Sequence, residues 1–136
     1  MREIKFRAWD KKNKRWVSKD YEEEAFEIYL DGKFLGLAGE IDRDWNDDYI
    51  LMQYTGLKDK NGKEIYEEDI VKIIEHNYHC GGYSIVKGIV RWSDKRCGFF
   101  VYPISEGFKK YYRMSDVDKA IGNIYENPEL LKESER

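Results

Sequence analysis

Long apolar runs are missing from this chain. Its apolar residues come in short bursts, none near the roughly 18 consecutive positions a membrane helix needs, so no membrane partner is expected. Cysteine is scarce as well. Cys80 and Cys97 alone make no disulfide framework, and such usage reads as a reduced, cytoplasmic protein. The opening residues Met1-Arg-Glu-Ile-Lys-Phe6 alternate from the start and lack the apolar centre of a secretory signal. There is no phosphate loop, because Gly81-Gly82 is not followed by Lys-Ser/Thr and a helix. A nucleophile-elbow pattern is also missing, and no segment carries a convincing helical period.

What is present is a chain of 136 residues with 38% charged and 15% aromatic side chains. That length fits one domain, residues 1–136, able to bury roughly two-thirds of its unfolded surface without staples. The net charge of −3 hides a sharp segregation. Residues 1–19 hold eight Lys/Arg against two Asp/Glu, a net +6. Residues 20–48 hold two against eleven, a net −9. Residues 49–131 form a mixed central β core, and 132–136 a charged tail. The two charged segments could face each other within one fold or pair between subunits. The basic one could instead meet an external polyanion, or the signs could simply cluster on a solvated surface.

The pattern along the chain is that of short strands. Ile4, Phe6 and Ala8 alternate with Lys5, Arg7 and Trp9, which predicts a half-buried strand. A polar turn at 10–14 and a short return at 15–17 make a basic hairpin. Trp9 falls on the face of Lys5 and Arg7, so it is either covered by other parts of the fold or an exposed aromatic. Further strands are predicted at 25–30 and 33–37 around Asp31-Gly32, then at 49–54 after a long acidic loop at 38–48 that contains Trp45. Asn61-Gly62 predicts a tight hairpin turn with positive φ at both residues. Ile65-Tyr66, an acidic corner at Glu67-Glu68-Asp69 and a strand at 70–74 follow. The run at 84–92 is interrupted by Gly88, which predicts a bulge or a sharp coil. Strands at 99–102, 108–114 and 120–125 complete the set, with Pro103 at the end of the first. Asn127-Pro-Glu-Leu-Leu131 predicts one helical turn with Asn127 as N-cap. Many short antiparallel strands and one short C-terminal helical turn make the class all-β. The order of elements over 64–102 is that of a small SH3-like barrel.

These residues resemble the YopX family, small proteins of bacteriophages and prophages. Arg7-Ala-Trp-Asp10 matches its opening, and Gln53-Tyr-Thr-Gly-Leu-Lys-Asp-Lys-Asn-Gly-Lys-Glu-Ile-Tyr66 its central signature. Val90-Arg-Trp92 and Ile121-Gly-Asn-Ile-Tyr-Glu-Asn-Pro-Glu-Leu130 match the later blocks. The resemblance implies a β-rich, oligomeric protein in the bacterial host cytoplasm, with no established biochemical role. Family members usually carry Gly where this chain has Glu68. Either the corner adopts negative φ here, or Glu68 bears strain.

The chemical constellations are sparse. His76, His79 and Cys80 lie close together, but Cys97 is alone, which is not the paired spacing of a zinc site. Cys80 beside a histidine has no orienting third group, and the Glu67–Glu68–Asp69 corner reads as a solvent-facing turn. No catalytic, metal or cofactor residues are therefore assigned. The expected function is non-enzymatic: self-association and binding of a phage or host protein. The alternative is single-stranded nucleic-acid binding by Lys5, Arg7, Trp9, Lys12, Arg15 and Trp16, whose cations would meet phosphates and whose rings would stack on bases.

Overall fold

The computed structural model describes residues 3–16, 26–28, 34–37, 49–76, 81–104 and 111–132. The Asp31-Gly32 turn, the acidic loop at 38–48 with Trp45 and the charged tail from 133 lie outside the described residues. Among the described residues there are eleven strands, two 3₁₀ turns and no helix long and apolar enough to cross a membrane. The class is all-β. The chain forms two compact units, one of Lys5–Gln53 and one of Tyr54–Arg136 with Met1–Ile4.

In the first unit, β1 (Phe6–Asp10) pairs antiparallel with β2 (Arg15–Trp16) through Trp9↔Trp16 and Asp10↔Arg15. Its other edge pairs with the first half of β5 (Tyr49–Lys58), from Phe6↔Gln53 to Asp10↔Tyr49. Ala8, Trp9 and Met52 are buried. Two shorter strands, β3 (Phe26–Ile28) and β4 (Phe34–Leu37), pair with each other.

In the second unit, the remainder of β5 pairs with β6 (Glu64–Tyr66) and carries the central signature. The hairpin turn differs from the predicted one. Gly62 has φ +84, but Asn61 is not among the positive-φ residues. Gly62 N–H donates to Asp59 O (3.0 Å), and the Asp59 carboxylate holds Asn61 N–H and Lys63 N–H, each at 2.9 Å. An aspartate that satisfies the turn's own amides lets Asn61 stay in an ordinary conformation, so one glycine suffices.

Beyond the corner lies a five-stranded antiparallel sheet in the order β10-β9-β8-β7-β11. Its strands are β7 (Asp69–His76), β8 (Tyr83–Ser93), β9 (Gly98–Pro103), β10 (Tyr112–Arg113) and β11 (Lys119–Asn123). Alternation fixes its inner face: Val71 and Ile73, Val86 and Val90, Val101, Tyr112 and Ala120 join Ile65 and Val117 in one core. Fully burying such side chains contributes roughly 1.5–3 kcal/mol each.

Gly88 marks no bulge, because the register runs through it without a shift, with Val71 on one side and Pro103 on the other. A Cβ there would stand 2.4 Å from Val101 Cγ1 and 3.0 Å from Tyr102 O, so the glycine permits close approach of β9. The bulge sits instead in β11, between Ala120 and Gly122. Of the strand predicted at 108–114, residues 108–110 lie outside the described residues, Tyr112–Arg113 form β10, and Met114–Asp116 turns into a 3₁₀ helix. The C-terminal turn is 3₁₀ as well, Pro128–Leu131. Asn127 does not cap it with its side chain. Its Oδ1 accepts Asn123 N–H at 3.3 Å instead, and only its backbone oxygen receives Leu130 N–H.

Candidate functional sites

The basic hairpin owes its shape to Asp10. This buried carboxylate accepts Lys12 N–H (3.0 Å) and Asn13 N–H (3.1 Å) on one oxygen and the Asn13 side-chain amide (2.8 Å) on the other. Arg15 Nε lies 3.9 Å from the same carboxylate. Trp9 is covered, only 5% exposed, and meets Trp16 edge-to-face with centroids 4.9 Å apart. The Arg7 guanidinium lies 4.4 Å over the Trp16 ring, and its Nη2 donates to Met52 Sδ at 3.7 Å. Lys5, Arg7 and Trp16 are half-buried, while Lys12 and Arg15 are exposed with Lys11 and Lys14. The structure thus brings the six predicted residues onto one hairpin but commits the rings to one another and to Arg7. The hairpin presents a cluster of cations rather than a stacking surface.

The acidic corner separates its three carboxylates. Asp69 is buried and its Oδ2 accepts Tyr66 N–H at 2.9 Å. Glu68 points elsewhere, its Oε2 standing 3.6 Å from Arg91 Nε. Glu67 is half-buried beside them. Glu68 has φ 66, so the chain accepts a left-handed backbone where glycine is the usual residue. Burial, together with the Glu68 carboxylate, pushes the nearby Tyr125 hydroxyl above its ordinary range, against the opposing pull of Arg91.

His76 is exposed at the end of β7, while His79 and Cys80 lie outside the described residues. Cys97 is exposed in the β8–β9 turn with φ 52, its Sγ 3.5 Å from Asp94 O. Among the described residues no three His, Cys, Asp or Glu side chains gather as metal ligands. His76 does line an open cleft of about 550 Å³ with Lys60, Glu75, Tyr112, Ser115 and Asp116 over Ile73 and Ile74. Tyr112 O–H donates to Glu75 Oε2 at 3.1 Å, and Lys60 is held by Asp118 at 2.8 Å.

One arrangement has no local signal in the sequence. On the sheet, Phe100 of β9 is opposite Arg91 of β8 on one side and Arg113 of β10 on the other. Beside this row, Arg96 stacks on Tyr111, its guanidinium carbon 3.9 Å from the ring centroid. Arg91, Phe100 and Arg113 come from three consecutive strands, and strand register sets them in one row.

Comparison with known proteins follows the same outline. The sequence profile described as YopX protein matches residues 5–132. The chain belongs to the YopX family. The crystal structure of protein EF1440 from Enterococcus faecalis is similar to this YopX protein over 97% of this chain and 100% of the other, with 29% identity and a TM-score of 0.56. No curated protein matches it. The YopX signature is thereby given a physical content: residues 53–66 place Asp59 and Gly62 in a turn, and residues 121–130 place Gly122 against Asn127.

Proposed function

We propose that this YopX protein is a phage- or prophage-type β-domain of the bacterial cytoplasm, built on a small SH3-like barrel, that self-associates and binds a phage or host protein without catalysing a reaction. The observation that carries this reading is the charge segregation, net +6 over residues 1–19 beside net −9 over residues 20–48. The exposed Lys11, Lys12, Lys14 and Arg15 crowd one hairpin turn and repel one another. Pairing them with a second copy's acidic segment removes that repulsion and fixes orientation. Such pairing weakens with salt, because the screening length falls from ~10 Å at 0.1 M to ~3 Å at 1 M.

Light scattering across a salt series tests this. The expected result is a mass above that of one chain at low salt, falling as salt rises, and a smaller species for Lys12→Glu with Arg15→Glu. A single-chain mass at every ionic strength would sink the reading.

The second reading, nucleic-acid binding at the hairpin, is supported by the same exposed cations. There Trp9 is covered, and Trp16 is half-buried with one contact to Trp9 and another to Arg7.

A further inference from the structure

We propose that the outer face of β8, β9 and β10 binds single-stranded nucleic acid through Phe100 and the guanidinium groups around it. Directly opposed residues of neighbouring strands point to the same face of a sheet. The registers Arg91↔Phe100 and Arg113↔Phe100 therefore set an aromatic ring between two arginines in one row. With strands ~4.8 Å apart, the flanking residues lie roughly 10 Å from each other. Tyr111 meets Phe100 edge-to-face with centroids 5.2 Å apart. Arg96 covers Tyr111 at 3.9 Å and stands 5.9 Å from Phe100. Phe100 and Tyr111 are partly exposed, and Arg91, Arg96 and Arg113 are exposed.

The carboxylates nearby are engaged within the fold. Glu68 faces Arg91 at 3.6 Å, Asp94 accepts Trp92 Nε1–H at 2.9 Å, and Asp116 accepts Arg113 N–H at 3.2 Å. The Arg91 side chain stays half-exposed beside Glu68.

The chemistry selects the occupant. An acidic peptide would use the cations and leave the rings idle. A duplex keeps its bases stacked inside and offers nothing to an aromatic ring on a sheet face. A single strand alternates what this face alternates: bases to stack on Phe100 and the Arg96 plane, phosphates for Arg91 and Arg113. The face uses none of the hairpin's residues.

The test is fluorescence anisotropy of the full chain with labelled oligothymidine and oligouridine of roughly 12 nucleotides, titrated over a salt series. Binding at low salt is expected, with a salt slope that shrinks by about 0.7 for each phosphate no longer neutralised. Arg96→Ala with Arg113→Ala is expected to weaken binding about ten-fold or more and to flatten the slope. Phe100→Leu is expected to weaken binding with the slope unchanged. The arginine variants change exposed side chains, so they decide the matter even where Phe100→Leu disturbs packing. Lys119→Ala, which removes an exposed cation at the opposite edge of the sheet, is expected to bind as the parent does, and Lys12→Ala with Arg15→Ala supplies the comparison at the hairpin. The proposal is overturned by any of three outcomes: no anisotropy change at low salt; loss of binding in the hairpin variant while the sheet variants bind normally; or equal competition by polyglutamate together with indifference to Phe100→Leu, which marks an acidic-protein surface.

Discussion

The Glu68 carboxylate stands 3.6 Å from the Arg91 guanidinium while its own backbone is held left-handed at φ 66. The conformation is imposed from both sides: Glu68 N–H donates to Val90 O at 2.8 Å, and Glu68 O accepts Ile124 N–H at 3.1 Å. A left-handed residue with a Cβ costs about 1–2 kcal/mol. A half-exposed ion pair returns about 0–1 kcal/mol. Glu68→Gly is therefore expected to stabilise the fold by about 0.5–1 kcal/mol. Glu68→Ala, which keeps the strain and loses the pair, is expected to lower stability slightly. Urea unfolding of the three proteins checks the order Gly above Glu above Ala, and a glycine variant less stable than the alanine one refutes the strain account.

Asp59 is the second point of leverage. It is buried, and its carboxylate takes Asn61 N–H, Lys63 N–H and, from 61 positions away, Ala120 N–H at 2.9 Å. Asp59→Ala leaves a buried amide without an acceptor and is expected to cost about 2–4 kcal/mol. Asp59→Asn keeps one acceptor oxygen and is expected to lose less. The readout is a fall in the urea midpoint with an unchanged slope.

The same carboxylate gives the fold an acid sensitivity of known sign. Burial pushes its pKa up, but the three backbone N–H donors, with Lys63 nearby, more than offset this and hold it below its ordinary value of 3.8. Folded Asp59 thus binds its proton more weakly than unfolded Asp59. Its contribution is fully present above roughly pH 4 and drains away as pH falls through the lower, folded pKa. Asp118, held low chiefly by its hydrogen bond from Lys60, titrates in the same direction. Melting temperature followed from neutral pH into acid should fall less steeply below pH ~4 in Asp59→Asn than in the parent.

Gly122 is required by proximity. A Cβ there would lie 2.5 Å from Asn127 Oδ1, 2.8 Å from Asn127 Cγ and 3.0 Å from Leu130 Cδ1. Gly122→Ala is expected to cost about 1–3 kcal/mol. Asn127→Gly removes the nearest clash, so the double variant should lose less than the sum of the two single ones. Strict additivity in that thermodynamic cycle would show that the two residues do not meet.

Much of the fold is legible in the sequence because short-range chemistry specifies it. Period-two alternation places the strand around Phe6, short apolar runs between turn signals place those around Val71 and Val101, and Gly62 and Asp10 mark turns. What stays hidden is which partner each group finds, near or far along the chain. The turn at Asn61-Gly62 needs one positive φ rather than two because Asp59 supplies its amides with an acceptor. Gly88 reads as a bulge or a sharp coil, but its role depends on Val101 and Tyr102 coming close from the next strand. Asn127 reads as a cap because its sequence neighbours allow one, while Asn123 claims its side chain. Trp9 could be either covered or exposed, and only Trp16 packed against it decides. The row of Arg91, Phe100 and Arg113 is invisible to any local pattern, since its members come from three strands and meet only through register.

The Ala120 amide that Asp59 occupies is a backbone donor of an edge strand, and Lys60 N–H takes the neighbouring Asp118 oxygen at 3.3 Å. Together they cover the start of the β11 rim, on which a foreign strand could otherwise nucleate. A second copy would reach that rim only after the 59–62 turn had undocked. Assembly of this chain by β-augmentation at the start of β11 is thereby disfavoured.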